Sequence, residues 1–110
     1  MTIIVTSRHF KAHQSLVDYA ESAVQRLTRY YDGIIKGGVV LSYEKSRRST
    51  KIAEIVVSVY RMRLTAQEQG DDFFKSIDGA VAKVLVQLKK YKDKLRAKDR
   101  KEVRRVREKI

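Results

Sequence analysis

The sequence has no cysteine and no proline, and only two histidines. Disulfide frameworks and the common zinc clusters are therefore excluded, and with them thiol redox chemistry. The N-terminus, MTIIVTSRHF, has only a short apolar run followed by charge, and no stretch approaches the ~18 apolar residues of a membrane span. We expect a cytoplasmic protein without an export signal or a membrane partner.

The charge balance is strongly positive and uneven. The chain has 110 residues, the length of one domain, with 43% hydrophobic residues and a net charge of +12. Residues 83–110 hold 13 Lys/Arg against 4 Asp/Glu, whereas residues 1–82 hold 12 against 9. Such a bias favours a polyanionic partner, nucleic acid first, although a solvated helix face or a disordered tail has the same composition.

Hydrophobic periodicity predicts the element order β-α-β-β-β-α. Residues 2–7 alternate as in a strand, and residues 14–31 carry an apolar stripe at intervals of three and four that ends near Gly33. Period-two alternation then begins at residues 39, 53 and 62, with a basic loop at residues 45–51 and a turn near Tyr60 that lacks the usual Gly or Asn. The fold class is α+β: a four-stranded sheet with two helices packed on one face and a right-handed crossover between the first two strands.

The last helix gives the strongest pattern. Its apolar residues from Phe74 to Leu95 are spaced three and four apart, so the helix spans at least residues 73–95. The stripe continues through Asp78 and Gly79 without a phase change, and a glycine inside a helix suggests close packing against another element. We divide the chain into a domain of residues 1–95 and a basic C-terminal extension of residues 96–110.

Candidate catalytic and metal-binding groups have simpler explanations. His9 and His13 are four residues apart, but positive neighbours favour a loop or capping role over a metal site. The acids Glu68, Asp71 and Asp72 precede a helix, where acids cap free N–H groups. No nucleophile elbow, phosphate-binding glycine loop or dinucleotide motif occurs. We expect a protein that is not an enzyme, with no metal, cofactor or small-molecule substrate.

Lysines on the last helix form the candidate binding surface. Lys83, Lys90 and Lys94 lie within ~40° of one another on the exposed side, and Lys101 joins them if the helix continues. Asp93 is the only acid between Lys83 and residue 98, so local ion pairs do not offset the repulsion. Phosphate neutralisation explains this pattern. An anionic membrane explains it less well, because the sheet needs the apolar stripe.

The stretch AQEQGDDFFKSIDGAVAKVLVQLKKYKDKL, residues 66–95, resembles the ribosome hibernation-promoting factor and ribosome-associated inhibitor family. The opening MTIIVTSRHF and the RYYDGI end of the first helix are similar as well, so the resemblance covers residues 1–95. It implies the same element order, with a shape similar to double-stranded-RNA-binding domains. It also implies binding to the small ribosomal subunit and its rRNA in the messenger and tRNA channel. Ribosomes would be inactivated there by steric occlusion under stress or in stationary phase.

The resemblance also assigns the rRNA-facing residues. The basic positions that match the family, or that extend its surface through this sequence's own pattern, are Lys83, Lys89, Lys90, Lys92, Lys94, Arg26 and Arg29. Two positions depart from the family: Val86 stands where an arginine is common, and Ala23 replaces a basic residue. The chain looks like a short-type member, without the C-terminal dimerisation domain of long members, and we expect a monomer off the ribosome.

Two alternatives to this function remain open at the level of sequence. A general double-stranded-RNA-binding module would need the same positive helix. An interaction protein with a coiled-coil tail is the other, but Val103, Val106 and Ile110 provide barely one heptad, where ~3 to 4 are needed.

Overall fold

The computed structural model describes the backbone of residues 2–44 and 50–108, and side chains within those ranges as far as Arg96. Of the basic loop predicted at residues 45–51, residues 45–49 lie outside the described residues. The elements are β1 (Thr2–Ser7), α1 (Gln14–Gln25), α2 (Leu27–Tyr30), β2 (Lys36–Glu44), β3 (Thr50–Val59), β4 (Met62–Gly70) and α3 (Phe73–Glu108).

The four strands form one sheet in the order β1-β2-β3-β4. β1 pairs with β2 in parallel, as a crossover through α1 requires, while β2, β3 and β4 are joined antiparallel. α1 contacts β1 and β2, and α3 contacts β3 and β4. The predicted α+β class with a four-stranded sheet is confirmed. The likeness in shape to double-stranded-RNA-binding domains stays a prediction.

The core lies between the helices and the inward face of the sheet. Alternate residues of the central strands, such as Val39, Leu41, Ile55 and Val57, are fully buried there. At Gly37 an added Cβ would lie 2.6 Å from Cγ1 of Val24, so the missing side chain lets α1 lie directly on β2. Burial of this kind stabilises by ~25 cal/mol per Å² of apolar surface, which makes this layer the main source of stability.

The first helix is interrupted, contrary to the continuous helix predicted for residues 14–31. Thr28 Oγ1 donates to the Gln25 carbonyl over 2.6 Å, and the Arg29 N–H, which would bond that carbonyl in a continuous helix, bonds Arg26 O instead. Tyr31 is already extended, with φ of −148°. The apolar stripe could not reveal this break, because Leu27 is buried in phase with α1.

The turn between β3 and β4 is at Tyr60 and Arg61, where the sequence places it without a glycine. Arg61 adopts a left-handed conformation with φ of 62°, a strained state for a residue with a side chain. Two contacts support it: the Arg61 guanidinium lies 5.2 Å from the Tyr60 ring centroid, and Tyr91 Oη donates to Tyr60 O over 2.9 Å.

α3 runs for 36 residues and continues to Glu108, well past the predicted minimum of residue 95. Ile77, Val84 and Leu88 of its stripe are fully buried. Phe74 is an exception at 41% exposed, and its ring packs edge-on against Tyr19. An added Cβ at Gly79 would lie 2.7 Å from Cγ of Glu68, which confirms the predicted close approach. The division into a domain and a basic extension stays a prediction, because the helix crosses its boundary.

Candidate nucleic-acid interface

The predicted lysines of α3 lie on two different flanks of the helix. At ~100° per residue, Lys83, Lys90 and Lys94 share one side, while Lys92 lies about 160–180° away from them. Lys89 lies ~60° from Lys92, on the side that faces α1 and α2. The predicted group of Lys83, Lys90 and Lys94 thus lies on one flank of α3, and Lys89 and Lys92 lie on the other, with the exposed crest of the helix between them.

The first flank contacts the sheet edge formed by β4, and we call it the edge flank: Lys83, Gln87 and Tyr91. Lys83 Nζ donates to Gln67 O over 3.0 Å, and Gln87 Nε2 donates to Thr65 O over 2.7 Å. Tyr91 continues the series with its bond to the β3–β4 turn. Side chains spaced four residues apart thus occupy carbonyl groups of an edge strand, which would otherwise be open to pairing with another chain.

An ion pair accompanies this edge contact. Lys83 Nζ lies 3.2 Å from Glu68 Oε2, and the Lys83 side chain stays 53% exposed. The hydrogen bond from Lys83, together with the backbone N–H of Gln69, holds the pKa of the Glu68 carboxyl below its ordinary value of 4.5. Lys83 therefore combines a predicted RNA contact with an internal structural one.

The acids and histidines behave only partly as predicted. Asp72 Oδ1 accepts from the Phe74 N–H over 2.7 Å, so it caps α3. Glu68 does not cap the helix, because it lies within β4 and pairs with Lys83. His9 lies in a turn with φ of 66°, and His13 occupies the N-cap position of α1 without a side-chain capping bond. Within the described residues, no group of three or more His, Cys, Asp or Glu side chains is placed to hold a metal ion.

The second flank of α3 borders an open groove, the α1–α3 groove, with a volume of about 580 Å³. Its lining residues are Tyr19, Arg26, Leu27, Arg29, Tyr30, Asp78, Val81, Ala82 and Leu85. Val81 and Leu85, both half-buried, give it an apolar floor above the buried Leu27, and Arg26 and Arg29 also line it. This volume lies within the ~300–1,000 Å³ of small-ligand sites.

One end of the groove carries a polar link between α1 and α3. Tyr19 Oη donates to Asp78 Oδ1 over 2.6 Å. This hydrogen bond, followed by burial, raises the pKa of the Tyr19 hydroxyl, and the neighbouring Arg26 opposes the shift. Asp78 is itself exposed and is an acidic group in an otherwise basic surface.

The other end carries an aromatic ring between cations. Tyr30 is 37% exposed, and the ammonium groups of Lys92 and Lys89 lie 4.9 Å and 5.7 Å from its ring centroid. Lys92 Nζ also donates to Tyr30 O over 3.2 Å, which satisfies a carbonyl at the end of α2. The apolar stripe predicts a buried Tyr30, and the structure instead exposes its ring at the groove.

Lys90 and Lys94 are exposed, and within the described part of the chain neither ammonium has a hydrogen-bond or ion-pair partner. They are therefore free to bind an external anion. Of the two positions expected to depart from the family, Ala23 is fully buried in the core, whereas Val86 is 53% exposed on α3. In this chain, position 86 therefore belongs to the surface and position 23 does not.

Comparison with known proteins places this geometry in a family. Residues 3–96 match the family described as sigma 54 modulation protein / S30EA ribosomal protein. The chain belongs to this family. The match spans every strand, both N-terminal helices and the part of α3 that packs on the sheet, so it includes both flanks.

Relatives of this family member carry names that refer to ribosomes. The ribosome hibernation promoting factors of Klebsiella oxytoca and Escherichia coli (strain K12) are each 29% identical over 96 residues, which is 87% of this chain and 98% of theirs. A ribosome hibernation promotion factor of Picosynechococcus is 30% identical over 97 residues, which is 86% of this chain but 50% of that protein. The full length of the two enterobacterial relatives is therefore represented here.

Solved structures support the same assignment. A ribosomal subunit interface protein from Coxiella burnetii aligns with a TM-score of 0.76 and 26% identity, over 84% of this chain and 99% of its own. The N-terminal domain of Thermus thermophilus Protein Y aligns with a TM-score of 0.73 and 30% identity, over 83% and 99%. The fold described above is that of the family.

Proposed function

We propose that this protein binds the small ribosomal subunit through its rRNA, in the channel used by messenger and tRNA. Bound there, it inactivates ribosomes by steric occlusion under stress or in stationary phase. Family membership and the names of relatives covered over 98% of their length support this proposal. The same relatives support a non-enzymatic role. Steric occlusion needs no catalysis, because it requires only a rigid body that fills the channel.

The observation that carries the proposal is the concentration of cations on the helical side of the molecule. Arg26, Arg29, Lys89 and Lys92 surround the α1–α3 groove, and Lys90 and Lys94 extend the positive surface along α3. Each cation that neutralises a phosphate releases condensed counterions, and this gain depends little on RNA sequence. The predicted rRNA-facing residues thus fall on one side of the sheet, with Lys83 the member most engaged inside the protein.

Sedimentation tests this function directly. Purified small subunits, large subunits and intact ribosomes are each mixed with the protein at moderate salt and separated on a gradient. We expect the protein to travel with small subunits and intact ribosomes. If it stays at the top of the gradient while a control ribosomal factor pellets, the proposal is wrong.

Duplex RNA provides the second arm of the experiment. A general double-stranded-RNA-binding module would bind a free duplex as tightly as the intact subunit. We expect the subunit to be preferred, because a fixed channel presents phosphates to both flanks of α3 at once, whereas a straight duplex contacts one convex surface.

A further inference from the structure

We propose that the α1–α3 groove binds a short unpaired stretch of RNA, with one base stacked on Tyr30 and another presenting its amino group to Asp78. This inference rests on the proposed function and specifies the RNA that one part of the surface recognises. Lys90 and Lys94 then contact phosphates without regard to base identity, while the groove reads bases.

The floor of the groove favours unpaired RNA over a duplex. An A-form duplex presents phosphates and sugar hydroxyls at its surface and keeps the faces of its bases stacked inside. A surface for duplex RNA needs cations, but it has no use for an apolar floor such as Val81 and Leu85 provide between them. Unstacked bases have apolar faces that such a floor covers, and single-stranded sites combine aromatic rings with a basic groove in this way.

Tyr30 provides the stacking surface at one end. Its ring is partly exposed at the groove, and Lys89 and Lys92 hold their ammonium groups over it as cation–π contacts. When a base stacks on the ring, these ammonium groups leave the ring and bind the phosphates on either side of that base. Arg29, which also lines the groove, provides a further cation for the next phosphate.

Asp78 adds selectivity at the other end. A carboxylate repels phosphate, so its presence in a purely phosphate-binding surface would only weaken binding. Its Oδ1 is occupied by the Tyr19 hydroxyl, which fixes the side chain and leaves Oδ2 able to accept a further hydrogen bond. Cytosine, adenine and guanine carry exocyclic amino groups that donate to a carboxylate, whereas uracil does not.

The test measures binding of three labelled RNAs by fluorescence anisotropy: a 12-nucleotide cytidine strand, a uridine strand of equal length and a 12-base-pair duplex. We expect the cytidine strand to bind several-fold more tightly than the uridine strand, and both strands more tightly than the duplex. Tyr30→Leu keeps an apolar side chain but removes the ring, and we expect about tenfold weaker binding of both strands. Asp78→Asn keeps the shape and the bond from Tyr19, and should abolish the preference for cytidine.

Lys90→Gln serves as the matched control, because Lys90 lies outside the groove. It should weaken both strands equally and leave their ratio unchanged. Circular dichroism of each variant checks that the fold is retained. Equal affinity of the wild-type protein for cytidine, uridine and duplex RNA would overturn the inference, as would unchanged binding by Tyr30→Leu.

Ribosome sedimentation separates this inference from the proposed function. If the wild-type protein and both groove variants pellet with small subunits at the same affinity, the function stands and the groove does not read bases. If the wild-type protein fails to pellet, the function itself is wrong, whatever the strands show.

Discussion

The two flanks of α3 carry the same residue type in different roles. On the edge flank, Lys83 donates to a backbone carbonyl of β4 and pairs with Glu68. On the flank that borders the α1–α3 groove, Lys89 lies over the exposed ring of Tyr30. Lys90, on the same side of the helix as Lys83, has no partner among the described residues. Positive charge on a helix thus does not by itself identify an RNA contact. The oxygen atoms already within reach of each ammonium decide whether it is free to bind phosphate.

The largest expected effect is a loss of stability when the packing of α3 is weakened, because this packing holds both flanks in place. Leu88 is fully buried on α3 between the two flanks. Leu88→Ala should lower the free energy of unfolding by about 2–5 kcal/mol, because it removes apolar contacts and leaves a cavity. Chemical denaturation measures this loss. Val86→Ala, on the exposed crest of the same helix, should change stability by less than ~0.5 kcal/mol, and an equal loss would mean that α3 is not packed through Leu88.

The next effect concerns the charges that face RNA. Replacing Arg29 and Lys89 with glutamine, or Lys90 and Lys94 with glutamine, removes two cations from the helical side. Each pair should weaken ribosome binding at least tenfold at low salt. Each should also reduce the slope of log affinity against log salt concentration by ~0.7–0.9 per true phosphate contact.

A matched pair on the other face of the sheet controls for net charge. Lys36→Gln with Arg63→Gln removes the same two charges from the surface that contains Ile4 and Val56. Binding and its salt dependence should change much less, because this face is turned away from the helices. A similar loss in all three pairs would show that binding depends on total charge alone and would remove the distinction between faces.

A smaller effect is expected from the end of α3. Removing residues 96–110 deletes eight Lys/Arg and three Asp/Glu, a net +5, and shortens the helix without removing any strand. The fold should be retained. Association with ribosomes should slow and affinity should fall at low salt, with less difference at high salt, where the Debye length of ~3 Å at 1 M limits the reach of charge. Equal binding curves at low salt would mean that this segment takes no part in binding.

Much of this architecture follows from the sequence. The parts that do not follow depend on hydrogen bonds and helix spacing that leave the pattern of apolar and charged residues unchanged. Periodicity fixes the strands and α3, because alternate or every third to fourth residue must be buried. It does not show the break at Arg26, since a Thr28 hydroxyl bond leaves the apolar phase unchanged. Nor does it show the groove, because the exposure of Tyr30 depends on how far α1 and α2 lie from α3. The charge pattern indicates the basic residues, but it does not show that Lys83 already donates to a carbonyl group of β4.

The Tyr91 hydroxyl allows the structural role of the edge flank to be tested without changing any charge. Burial raises the pKa of the Tyr91 hydroxyl, which donates to Tyr60 O at the strained turn. Tyr91→Phe removes that bond and keeps the ring, so the free energy of unfolding should fall by about 1 kcal/mol. The salt dependence of ribosome binding should stay the same. A change in that slope would place an RNA contact at Tyr91 or the β3–β4 turn, and no change in stability would mean that the turn is held without Tyr91.

The smallest expected effect is the pH dependence of the Lys83–Glu68 pair. Lys83 holds the pKa of Glu68 below its ordinary value of 4.5 in the folded protein. Because a lowered acid pKa favours the charged folded state, the pair's contribution is fully present above pH ~4.5 and disappears as pH falls through the lowered value. A double-mutant cycle of Glu68→Gln and Lys83→Met, measured by denaturation at several pH values, isolates this coupling. It should be small at pH 7 because the pair is partly exposed, weaken in high salt, and vanish in acid. A coupling that persisted unchanged in acid would mean that the two side chains interact through packing rather than charge, and Lys83 would then have its full charge available for RNA.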